Sequence, residues 1–245
     1  QFGLPEVTLG LIPGGGGITK MKRQLGLMGA QPYILESKLF NPEQAVVLGL
    51  VHELVNNAAD LLPRALAWIA SVQGNAEACQ HPWDRKGFKI PGGTPSNPAI
   101  AQALVVAPAM LKKTTRGLYP APEAALCAMV EGAQVDFDTA MRIESRYLAG
   151  LMVNPVARNM VNTFFFNMNA IRSGQSRPKD VPRYKPAKVG ILGAGMMGAG
   201  IAYAQASRGI ATVLKDVSQE KAAHGKAYSA KLTQARVDKG RMSAT

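Results

Sequence analysis

Gly193, Gly195 and Gly198 stand in a G-x-G-x-x-G, with Met196 and Met197 in its last two variable positions. Asp216 follows 23 residues after the first glycine. These residue types at this spacing suit a pyrophosphate followed by a ribose. Gly193 permits a tight strand-to-helix turn, Gly195 lets a phosphate approach the backbone, and Gly198 lets the helix pack closely on the strand. The helix amino end then offers free N–H groups and a positive dipole. Asp216 can accept hydrogen bonds from ribose hydroxyls and would repel a 2′-phosphate. NAD is therefore expected over NADP, a preference that neighbouring Lys215 softens. Gly193, Gly195, Met196, Met197, Gly198 and Asp216 are the expected cofactor-binding residues.

A second candidate is Glu6, in "FGLPEVTLGLIPGGGG" at residues 2–17. By residue type alone it is either a surface or capping carboxylate or one half of an acid–base pair. Gly14 to Gly17 read as a turn into the next helix rather than a phosphate loop, because no Gly-Lys-Ser/Thr follows. His52, His81 and His224 are scattered, with no nucleophile or ligand spacing around them. His52 reads as a packed or surface residue and His224 as solvated. Glu144 and Arg146 read as members of structural ion pairs. Cys79 and Cys127 show no metal spacing and no disulfide framework, so no metal is expected and a cytoplasmic, reducing setting is. Trp83 to Lys89 could touch a nucleotide tail, although nothing in the sequence requires it.

These residues need elements to hold them. Asn41-Pro42-Glu43 places a capping Asn before an N1 proline, predicting a helix through Leu48. Gly49 to Val55 reads as a short strand or strand-like segment. Helical periodicity covers Leu61 to Val72, 99 to 116, a stretch beginning near Pro122, and Asn154 to Ile171. Residues 81 to 98 are too rich in Gly and Pro to be regular. Val189 to Leu192 and Ile210 to Leu214 read as strands flanking a helix, with a basic helix after Asp216.

The fold class is therefore α/β, with a mainly helical middle region and the first β-α-β of a Rossmann-type dinucleotide-binding domain. Four segments are expected: 1–60, a helical extension over 61–172, a basic Pro-rich linker at 173–186, and 187–245. The 245 residues carry a net charge of +12, of which +9 falls after Ser173, where thirteen Lys/Arg face four acids. The basic residues are not interleaved with aromatics for base stacking, so phosphates of a small ligand or a solvated helix face are expected rather than nucleic acid. No stretch approaches the roughly 20 apolar residues of a membrane span.

"FGLPEVTLGLIPGGGG", followed by Ala45 and Gly49-Leu50-Val51, resembles the crotonase (enoyl-CoA hydratase/isomerase) superfamily. "VGILGAGMMGAGIA" with Asp216 resembles the opening of 3-hydroxyacyl-CoA dehydrogenases. In this order, joined by about 130 mainly helical residues, they resemble the α-subunit of the fatty-acid oxidation multifunctional enzyme. The resemblance implies that 1–60 is the C-terminal part of a crotonase domain and that 187–245 opens the NAD-binding dehydrogenase domain.

It also implies a mechanism. Two glutamates flank the acyl-CoA Cα–Cβ bond, one activating water and the other exchanging the proton at Cα, while two backbone N–H groups hold the thioester oxygen. Glu6 matches one glutamate. The other glutamate, the oxyanion segment and the dehydrogenase His–Glu pair match nothing here, so the chain is expected to be incomplete and inactive alone. Ile18 before Thr19 is a minor departure from the family pattern. The resemblance further implies acyl-CoA as substrate and a thiolase β-subunit as partner. A non-catalytic scaffold holding that thiolase is the alternative reading.

Overall fold

The computed structural model describes residues 1–182, 184–238 and 242. It divides into two compact units, Gln1–Ser176 and Arg177–Thr245. The first unit is helical and the second is a small α/β unit.

In the first unit a short 3₁₀ turn, Glu6–Leu9, precedes the glycine turn and helix α1, Gly17–Leu35. Phe2 and Phe40 form a two-way backbone bridge and stack their rings, which ties the first residues to the segment after α1. Helix α1 is broken at Gly26, whose φ of +77° lies in the left-handed region. The break also lets the 83–97 loop approach, because a Cβ at Gly26 would collide with the Pro91 carbonyl. Glycine is the residue that meets both demands.

Helix α2, Pro42–Val47, carries the predicted cap. Asn41 Oδ1 accepts from Gln44 N at 2.8 Å, and Gln44 Oε1 accepts from Asn41 N at 3.1 Å. Residues 49–55 form turns and irregular chain rather than the expected strand. Gly49 adopts φ +68°, and Leu50 N and Val51 N both turn back onto Ala45 O. The apolar run thus closes a helix instead of entering a sheet.

Helix α3, Leu61–Val72, has the expected bounds and buries none of its residues. After the 73–97 loop come α4, Pro98–Thr115, and α5, Pro120–Gly132. Helices α6, Phe137–Met152, and α7, Pro155–Met160, follow; a π-helical stretch, Val161–Asn167, then leads into α8, Met168–Ser173. Side-chain oxygens of Asn97, Asp136 and Asn154 accept from Ala99 N, Thr139 N and Val156 N, and so start α4, α6 and α7. The core lies between α1 and α5. Ile18, Leu27, Ala30 and Ile34 pack with Ala121, Ala125, Ala128 and Met129. The alanines let the two backbones come close, and the larger side chains fill the remaining volume.

The second unit runs β1 (Lys188–Leu192), α9 (Met196–Ala206), β2 (Ala211–Lys215) and α10 (Gln219–Asp238). The strands are parallel, pairing Lys188 with Ala211 through to Leu192 with Lys215. The β-α-β crossover is the expected one, and α10 is the expected basic helix.

Candidate functional site

The glycine turn of the second unit is built by its strands. Gly193 leaves β1 with φ +95°, and its N–H donates to Lys215 O at 2.8 Å, so the turn is pinned to the end of β2. Gly195 is the extended residue before α9, and a Cβ there would meet only open space. At Gly198 a Cβ would drive into the Gly193 carbonyl, so this position requires hydrogen. Ala199 N donates to Gly195 O at 2.9 Å and closes the first turn of α9. Met196 and Met197 are 90% and 73% exposed, leaving the helix amino end open.

Asp216 stands at the carboxyl end of β2. Its Oδ2 accepts from Ala194 N at 2.6 Å and its Oδ1 from Val217 N at 2.7 Å. These two donors, with Lys221 assisting, hold the carboxyl below its ordinary range. One lone pair on each oxygen is engaged, and a carboxylate has about four acceptor positions. Asp216 thus braces the glycine turn and still has acceptors for a diol. Open backbone at Gly195, a free helix end and an ionised acid beyond β2 fit a dinucleotide.

Glu6 lies in the 3₁₀ turn of the first unit, half-buried. Its Oε2 is out of contact with solvent and has no hydrogen-bond partner. A buried carboxylate oxygen without a donor is costly. The following residues, Val7 to Leu9, line a cleft of about 570 Å³ with Tyr119, Met160 and Phe164.

The four-glycine turn leads into α1, as expected, and the amino end of that helix already holds an anion. Ile18 N and Thr19 N donate to Glu144 Oε1 and Oε2 at 3.2 and 2.9 Å, and Thr19 Oγ1 donates to Oε2 at 2.7 Å. The expected ion-pair role of Glu144 is thereby corrected. Arg146 pairs with Glu131 at 2.7 Å, whereas Glu144 is 2% exposed and caps α1. Beside it Lys22, fully buried, donates to Ala128 O at 3.1 Å. Burial, with Arg23 next to it, brings the Lys22 ammonium down to about 7, against a partial upward pull from Glu144. Neither role was visible in the sequence, because α5 and α6 supply the partners.

His52 packs against Trp68 with ring centroids 4.8 Å apart, and His224 is exposed on α10. Cys79 and Cys127 are both exposed and free. Among the described residues no group of three His, Cys, Asp or Glu gathers as metal ligands, and no helix is long and apolar enough to cross a membrane.

The second unit is an α/β unit of dinucleotide-binding type, and the first is a helical unit that holds Glu6 half-buried. Residues 1–81 match the enoyl-CoA hydratase/isomerase family, and residues 188–245 match the NAD binding domain of 3-hydroxyacyl-CoA dehydrogenase. Together, in this order, the two matches are those of a fatty-acid oxidation multifunctional enzyme. The chain is thus of a fatty-acid β-oxidation type, with crotonase and Rossmann NAD-binding segments.

Proposed function

We propose that this chain is part of an enzyme that hydrates 2-trans-enoyl-CoA and oxidises L-3-hydroxyacyl-CoA with NAD. The observation that carries the reading is a hydratase-type segment bearing Glu6 and, after it, a glycine turn braced by Asp216. Glu6 is one of the two hydratase carboxylates. Hydration adds the oxygen of water at Cβ and a proton at Cα. One carboxylate takes the proton from water and the other delivers one to carbon, and Glu6 supplies one of the two.

In the second unit, the Gly195 backbone and the α9 amino end, with Met196 and Met197, would hold the pyrophosphate of NAD, and Asp216 would accept from the adenosine ribose. NAD supplies the hydride acceptor. Two free exposed thiols favour a cytoplasmic setting.

No segment of this sequence matches the second hydratase glutamate, its oxyanion donors or the dehydrogenase His–Glu pair. The chain by itself is expected to consume neither substrate. Loss of enoyl absorbance from crotonyl-CoA tests this, and turnover that disappears in Glu6→Gln would show that a second base is present. The alternative, a scaffold for a thiolase β-subunit, is favoured by the exposed apolar side chains Leu61, Leu62, Leu66 and Ile69 of α3. Co-elution with a thiolase on size exclusion supports it, and separate elution counts against it.

A further inference from the structure

Met196 and Met197 fill the two variable positions before Gly198 in the glycine turn, and they begin α9. At 90% and 73% they are the two most exposed methionines among the described residues, ahead of Met110 and Met152 at 66% each. Met129, by contrast, is fully buried in the core between α1 and α5. A thioether is soft and polarizable, and an oxidant reaches its sulfur lone pairs only where solvent does.

The surroundings decide what oxidation does at this place. A Cβ at Gly195 would meet only open space, so the front of the turn is clear. The first N–H groups of α9 have no partner inside the helix. Ala194 N, just before them, is already engaged by Asp216. An anion brought to this end therefore meets N–H groups in the same turn that carries the two sulfurs.

We propose that Met196 and Met197 form an oxidation site, and that their conversion to sulfoxides by hydrogen peroxide lowers the affinity of the second unit for NAD. A sulfur lone pair attacks one peroxide oxygen and the O–O bond breaks. The departing hydroxide takes the proton from the oxygen now on sulfur and leaves as water. Each sulfur loses two electrons, and the peroxide gains them. A weak acceptor thereby becomes a polar S–O group with a partly negative oxygen. Beside a pyrophosphate that oxygen repels the anion, and within the first turn of α9 it competes for the same N–H groups. The inference rests on the reading of the glycine turn as an NAD site.

The test uses the whole chain, titrated with NAD in a calorimeter before and after hydrogen peroxide, with peptide masses read at each methionine. Oxygen is expected on Met196 and Met197 before Met129, and NAD affinity is expected to fall about fivefold. Methionine sulfoxide reductases for both epimers, with dithiothreitol oxidised to its disulfide as electron donor, restore the thioethers and the affinity. The double variant Met196→Leu with Met197→Leu keeps the other nine methionines and both thiols, Cys79 and Cys127. Whatever its starting affinity, it loses none to peroxide. The proposal is overturned by any of three results: oxygen reaching Met196 and Met197 no sooner than Met129, unchanged NAD affinity in a chain oxidised at both, or an equal loss in the double variant. An untreated chain that binds no NAD overturns the NAD reading and the affinity effect with it, while the peptide masses still decide the oxidation site.

Discussion

Thr19 and Glu144, 125 residues apart, share two hydrogen bonds to one carboxylate oxygen, at 2.9 Å from the backbone and 2.7 Å from the hydroxyl. The pair locks the amino end of α1 onto α6 and places a fixed negative charge where the helix dipole favours one. It also explains why the glycine-rich turn before α1 is no phosphate cradle. The donors are spent.

Replacing Glu144 by Ala strands two backbone N–H groups and the Thr19 hydroxyl in a closed site. A loss of about 2–4 kcal/mol is expected, read as a lower urea midpoint followed by tryptophan fluorescence. Glu144→Gln keeps an acceptor and should lose about half as much. Equal midpoints for Glu144→Ala and the parent would show that the cap carries no stability.

Lys22 predicts a pH dependence. Its folded value of about 7 lies below its ordinary 10.5, so between these values the unfolded chain holds the extra proton. Stability then rises with pH across that window, by up to about 1.4 kcal/mol per unit, and this contribution is flat below about pH 7. Lys22→Met removes the buried ammonium and should raise the urea midpoint at pH 7 while flattening the slope above it. An unchanged slope in that variant would refute the assignment.

In the second unit, Gly198→Ala pushes a methyl group into the Gly193 carbonyl. NAD affinity measured calorimetrically should fall at least tenfold, because the turn must open to accommodate it. Asp216→Asn should weaken NAD about tenfold and narrow the preference for NAD over NADP, since the acid that repels a 2′-phosphate is gone. NAD binding as tight as in the parent for both variants would separate this turn from the cofactor.

Gly26 gives a purely structural test. Gly26→Ala combines a left-handed backbone with a collision at Pro91 O, for an expected loss of about 1–3 kcal/mol in urea unfolding. A neutral substitution would mean that the break in α1 shifts freely along the helix.

The features legible in the sequence are those set by residues a few positions apart. The Asn41–Gln44 cap, the bounds of α3 and the β-α-β around Gly193 depend on local hydrogen bonds and on backbone freedom at single glycines, and each formed where the pattern placed it. Gly49 to Val55 shows the limit. An apolar run becomes a strand only if a neighbour pairs with it, and here the chain folds back onto Ala45. Only the tertiary structure decided that Glu144 caps α1, that Lys22 lies buried against Ala128, and that Arg23 is buried with Nη2 on Val135 O. The partners of these charged side chains lie more than a hundred residues away. The role of such a charge depends on what packs around it, which local residue order does not encode.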